Sequence, residues 1–188
     1  MPLSKAKPRK HLHTREIKCD AYQREDGLWD IEGVITDTKS YSFDNYERDG
    51  IAAGEPLHQM RVRIAIDDDM VVQEAEAVTE YSPFKMCGDI GPDYAKLIGI
   101  KIGPGWRKNV YNRLGKEKGC THISDLVLGP IAVTAFQAVV PHREKRMTEP
   151  ADGSTPVTLN TCHALEESSP VVQWRWPSFY KPKTESEA

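Results

Sequence analysis

Hydrophobic positions alternate along the first half of the chain and shift to helical spacing after Pro83. In residues 15–24, Ile17, Cys19 and Ala21 share one face and Lys18, Asp20 and Tyr22 the other, the period of a half-buried strand. Glu25-Asp26-Gly27 supplies a turn. Residues 28–37 return, with Trp29, Ile31 and Ile35 inward and Asp30, Glu32 and Val34 outward, so the two runs form a hairpin. Residues 40–56 hold Gly50, Gly54 and Pro56 without periodicity and are expected to be a long loop of the kind that carries function. Residues 57–67 are the clearest strand: Met60, Val62, Ile64 and Ile66 share a face opposite Arg61 and Arg63. Asp67-Asp68-Asp69 turns the chain into a fourth strand at 70–79.

Beyond Pro83, Pro92 to Ile98 suits a short helix with proline in its first turn. Ile100 to Gly105 is a glycine-rich connector. Trp106, Val110 and Leu114 repeat every four residues up to a stop at Gly115. From Thr121 onward, Ile123, Leu126, Val127, Ile131, Thr134, Ala135 and Ala138 mark one face of a long helix that Pro130 should kink, with Thr121 as its cap. The expected fold class is α+β: an antiparallel four-stranded sheet of two hairpins, followed by three helices on one face. The expected organisation is a basic arm (1–14), one α+β domain (15–140) and an irregular tail (141–188). An aromatic segment in that tail, with Trp174, Trp176, Phe179 and Tyr180, should dock on its own domain or on a second subunit, so a homodimer is one expected assembly.

The 188 residues allow one core, and a hydrophobic content of 39% leaves part of the chain outside it. The net charge of -3 gives no reason to expect nucleic acid as a partner, and no apolar run suggests a membrane one. The first residues carry charge and proline without the apolar stretch of a secretion signal, so the cytoplasm is the expected compartment. The widely spaced Cys19, Cys87, Cys120 and Cys162 are expected as free thiols there.

Strand phase selects the candidate chemistry. His58 has the parity of Met60 and Val62, and Asp37 that of Ile31 and Ile35, so both extend the inward face. Gly119-Cys120-Thr121-His122 opens the long helix. Asp37, His58, Cys87, Cys120 and His122 are therefore expected to converge at one end of the sheet, with His58, His122 and Asp37 as catalytic residues. Trp29, Trp106 and Tyr94 are available to line a pocket for a flat ligand. The structural alternatives are a satisfied strand-end histidine at 58, a turn cap at Asp37 and a packed thiol at Cys120.

Three rival constellations are weaker. Cys87, Cys120, His58 and His122 are zinc-type donors, but without a paired short motif no metal is expected. Cys120 as nucleophile with His58 as base has no supporting local context. Gly99 to Gly105 lacks the spacing of a phosphate loop.

The runs Cys19-x-Ala21-Tyr22-x-Arg24-x-Asp26-Gly27-Leu28-Trp29-Asp30-Ile31-Glu32-Gly33, Asp37-Thr38-Lys39, His58-x-Met60, Cys87 and Gly119-Cys120-Thr121-His122 resemble a bacterial family catalogued as a domain of unknown function. The resemblance covers about residues 13–140 and implies an accessory role in catabolism, aromatic compounds included. It adds Tyr22 and Arg24 to Asp37, His58, Cys120 and His122 as candidate positions.

The function expected from these readings is a cofactor-independent acid–base lyase, cleaving a carbon–carbon or carbon–oxygen bond, or an isomerase. Its expected substrate is a small aromatic hydroxylated metabolite held by Tyr22, Arg24, Trp29, Trp106 and Cys120. Strand parity sets Tyr22 and Arg24 off the core face and so counts against them. The alternatives are a non-catalytic ligand-binding or interaction protein and a zinc-dependent hydrolase.

Overall fold

The computed structural model describes residues 2–142, 150 and 152–183. Four long strands follow the alternating segments: β1 (His13–Gln23), β2 (Trp29–Lys39), β3 (Pro56–Ile66) and β4 (Val72–Tyr81). They form one antiparallel sheet in the order β1-β2-β3-β4. β2 also pairs with β3, so the two hairpins are halves of a continuous meander. The sheet is built as alternation requires. Ile31, Ile35, Met60, Ile64 and Ile66 are fully buried. The opposite face is charged and carries ion pairs such as Arg61–Glu80 and Arg63–Glu76. Pairs this exposed keep the face soluble and add little stability.

The helical half begins with a 3-10 segment, Lys85–Leu97, beside β4. It starts seven residues before Pro92, where the expected helix began. Helix α1 (Trp106–Leu114) stops at Gly115, as the spacing predicts. The long helix runs as α2 (Thr121–Leu126), a π turn (Val127–Ile131) and α3 (Ala132–His142). Pro130 has no amide hydrogen to offer the helix ladder, and the chain widens by one π turn around it. The cap differs from expectation. Cys120, not Thr121, is the N-cap residue, and its side chain makes no capping bond.

The continuous helical segment Thr121–His142 is long and apolar enough to cross a membrane, contrary to the sequence reading. Its side chains at Ile123, Leu126, Val127, Ile131 and Ala135 are fully buried, the stripe a core helix presents. α2 and the π turn lie against β2. The approach is close because Gly33 of β2 has no side chain there. A Cβ on Gly33 would stand 3.0 Å from Ile131 and 3.1 Å from Leu126.

The chain divides into two compact units after Phe136. The second contains a 3-10 turn (His163–Leu165) and helix α4 (Pro170–Arg175), capped by Ser169, whose hydroxyl accepts from Val172 N at 3.2 Å. Val172 and Trp176 are buried, whereas Trp174 is exposed. Of the expected tail, residues 143–149, 151 and 184–188 lie outside the described residues.

Candidate functional site

One row of cross-strand partners builds the site. Arg15 of β1 stands opposite Asp37 of β2, and Asp37 opposite His58 of β3. All three share the face that the helices cover. A bulge between Asp37 and Thr38 ends the regular pairing just beyond them. α2 brings His122 onto the row from above.

Asp37 is the centre. Its side chain is 1% exposed, and it is the one buried charged residue among those described. A carboxylate taken from water must be paired. Arg15 supplies a two-pronged partner, Nε donating to Oδ1 and Nη2 to Oδ2, both at 2.8 Å. His13 Nε2 lies 3.2 Å from Oδ1. His58 Nδ1 and His122 Nε2 lie 3.3 and 3.5 Å from Oδ2. Burial pushes the Asp37 pKa up, but the Arg15 hydrogen bonds and positive charge outweigh it and hold the carboxyl below its ordinary value. Asp37 is therefore ionised at neutral pH.

The two imidazoles stack, with ring centroids 3.8 Å apart and planes 30° from parallel. Two charges at that separation would repel by about 4 kcal/mol at an effective dielectric constant of about 20. Burial, and then the neighbouring His122, lower the His58 pKa to about 4. Burial lowers that of His122 as well. Both rings are neutral at pH 7, so each has one ring nitrogen able to accept a proton or bind a ligand. His58 Nδ1 is close to Asp37 Oδ2, yet it is not aligned for a hydrogen bond and is buried without a hydrogen-bond partner.

The supporting contacts fix α2. Cys120 Sγ lies 3.8 Å from His122 Nδ1. The hydroxyl of buried Tyr94 accepts from Cys120 N at 3.0 Å and reaches Cys120 O and Ser124 Oγ, each at 2.9 Å. Tyr94 is thus a brace beneath the start of α2, not part of a pocket wall. Arg15 Nη1 also meets Asp125 of α2 at 3.5 Å, tying that helix to the strand row.

The remaining sequence candidates lie elsewhere. Tyr22 pairs with Asp30 at the other end of β1, and its side chain is exposed. Arg24 is bound to Asp26, Asp30 and Glu74. Trp29 stands eight residues from Asp37 along β2, roughly 26 Å at about 3.3 Å per residue. Trp106 is a core residue donating Nε1 to Val127 O at 3.3 Å. The backbone of Cys87 accepts from Thr79 Oγ1 at 3.3 Å, and Cys87 is not one of the donors around Asp37. The expected aromatic wall is therefore not assembled around the histidines.

Two contributors went unforeseen, His13 and Arg15. The parity of Ile17, Cys19 and Ala21, carried two and four places toward the N-terminus, reaches them both. His13 falls in the expected basic arm, and Arg15, first residue of the expected strand, is a charged side chain where the inward face was read only from Ile17 onward.

The fold and site together define an α+β protein with a carboxylate–imidazole cluster at one end of a four-stranded meander. The chain belongs to the family described as Protein of unknown function (DUF2889), whose model matches residues 13–137. That span opens on His13 and includes every residue of the cluster. No curated protein matches the chain, and no solved structure does.

Proposed function

We propose that the protein is a small-molecule enzyme, a lyase whose reacting centre is Asp37 with His58 and His122. The observation that carries the reading is the convergence of a fully buried, ionised carboxylate with two neutral imidazoles within 3.5 Å. Burying these groups costs stability, and a core needs none of them. The His58 and His122 side chains are 16% and 20% exposed, so the two imidazole rings sit at the rim of the core where a ligand can meet them.

A substrate hydroxyl meeting such a centre can surrender its proton there. For a hydroxymethyl group, loss of that proton allows the carbon–carbon bond to break. Formaldehyde leaves, the bonding pair stays on the parent carbon, and that carbon takes up a proton. The sequence is redox-neutral and balanced. A hydroxylated aromatic substrate suits it, because the ring delocalises the pair.

The reading is tested with hydroxymethyl-bearing phenolics offered to the wild type and to His58→Ala and His122→Ala. Loss of turnover in variants that remain folded is expected. Tight ligand binding without turnover in the wild type would replace the reading with a binding protein.

A further inference from the structure

The lyase reading leaves one requirement unmet. Breaking the bond places charge on a substrate oxygen and then on carbon, and a cation beside the reacting atoms would stabilise it. Arg15, the cation of the cluster, is committed to Asp37 by two hydrogen bonds.

We propose that Asp37, His58 and His122 bind one divalent first-row transition-metal ion, of the zinc or ferrous class. Their donor atoms lie within 4.8 Å of one another. Bonds of about 2.0–2.1 Å arranged tetrahedrally set neighbouring donors about 3.3–3.4 Å apart. His58 Nδ1 and His122 Nε2 stand at 3.3 and 3.5 Å from Asp37 Oδ2, close to that spacing.

A second, independent observation is the buried His58 Nδ1 without a hydrogen-bond partner. With the ring proton on Nε2, the Nδ1 lone pair faces the carboxylate oxygen and is repelled, and an ion between the two makes that arrangement attractive. The surroundings fit as well. Cys120 Sγ beside His122 Nδ1 can accept that ring's N–H and leave Nε2 as the donor to the ion. The Arg15 fork holds the carboxylate in place. Arg15 Nε and His13 Nε2 both lie on Oδ1, so Oδ2 is the oxygen Asp37 turns to the two imidazoles, and the partly exposed imidazole rims leave a coordination position for an external oxygen. Two nitrogens and one oxygen favour zinc or iron over magnesium and calcium, which select oxygen donors.

This inference rests on the cluster being the reacting centre and refines its chemistry: in the loaded protein the lone pairs hold the ion, which would lower the pKa of a substrate hydroxyl beside it so that the proton passes to solvent water. The test uses the full chain, freed of any affinity tag and stripped with a chelator. Zinc and cobalt(II) are titrated by calorimetry, with magnesium as control, and cobalt(II) is also followed by its visible absorption. One ion per chain is expected, with a cobalt band of tetrahedral or five-coordinate type and no magnesium binding. His58→Ala, His122→Gln and Asp37→Asn should each weaken zinc by on the order of 100-fold or more. Unchanged zinc affinity in His58→Ala and His122→Gln, or no zinc binding by the wild type, would overturn the proposal. Full turnover by the stripped chain would overturn it too while leaving the lyase reading standing. A wild type that binds one ion through these residues but turns over no substrate upholds the metal site and ends the lyase reading.

Discussion

At the scale of the residue, Asp37 governs the site. A fully buried carboxylate is tolerated because Arg15 meets both its oxygens. Arg15→Met should therefore destabilise the protein by about 2–3 kcal/mol, below the 3–5 of a fully buried pair because Arg15 is 35% exposed. Urea unfolding measures this loss, and an unchanged midpoint would show that Asp37 does not depend on the pair. The histidines add a pH dependence in the metal-free protein. The folded pKa of His58 is lowered to about 4, whereas the unfolded chain takes up that proton near about 6.5. The unfolded state then binds protons first, so stability is full above about 6.5 and is lost as pH falls toward 4. His122 is shifted the same way. Urea midpoints measured between pH 7.5 and 4.5 should fall over this range, and fall less in His58→Gln. A flat profile would mean that the imidazoles are not held neutral. Asp37 and His58 were legible because side-chain alternation needs only their parity with Ile35 and Met60. Arg15 and His13 were not, since a charged residue at a strand start or in a basic arm looks the same whether it is solvated or turned onto the core face.

At the scale of the element, the site depends on how closely α2 approaches the sheet. Gly33 sets that approach, for Leu126 and Ile131 occupy the space of its missing side chain. Gly33→Val should force them apart, cost about 1–3 kcal/mol and withdraw His122 from Asp37. The check is a lowered melting temperature with loss of the His122–Asp37 contact, seen in the imidazole resonances. An unaltered His122 environment would show that Tyr94 and the Arg15–Asp125 pair hold α2 without the Gly33 contact. The elements themselves were visible in the sequence, since periods of two and of nearly four differ sharply. Their details were less so. Pro130 predicts a break in the helix ladder, but whether the chain kinks or widens is decided by packing. The 3-10 segment before Pro92 has no clear period, so its start was missed. Trp29 and Trp106 looked like pocket residues because aromatic side chains serve a core and a binding wall equally well. Only the strand register shows that Trp29 lies at the far end of the sheet from Asp37.

At the scale of the molecule, one face of the meander is a charged surface and the other carries the core, with the polar cluster at one end of that core. The family match spans the sheet and the helices that build the cluster and stops at residue 137, within α3. The proposed chemistry therefore lies within the first unit and within the span that the family shares. Aldehyde release from a panel of hydroxymethyl-bearing phenolics, measured side by side for the wild type and His58→Ala with folding verified by circular dichroism, tests this most directly. Release by the wild type from at least one member of the panel is expected, with a rate about 100-fold or more lower in the variant. Equal rates in the two proteins, or no release from any member by a metal-loaded wild type, would contradict it.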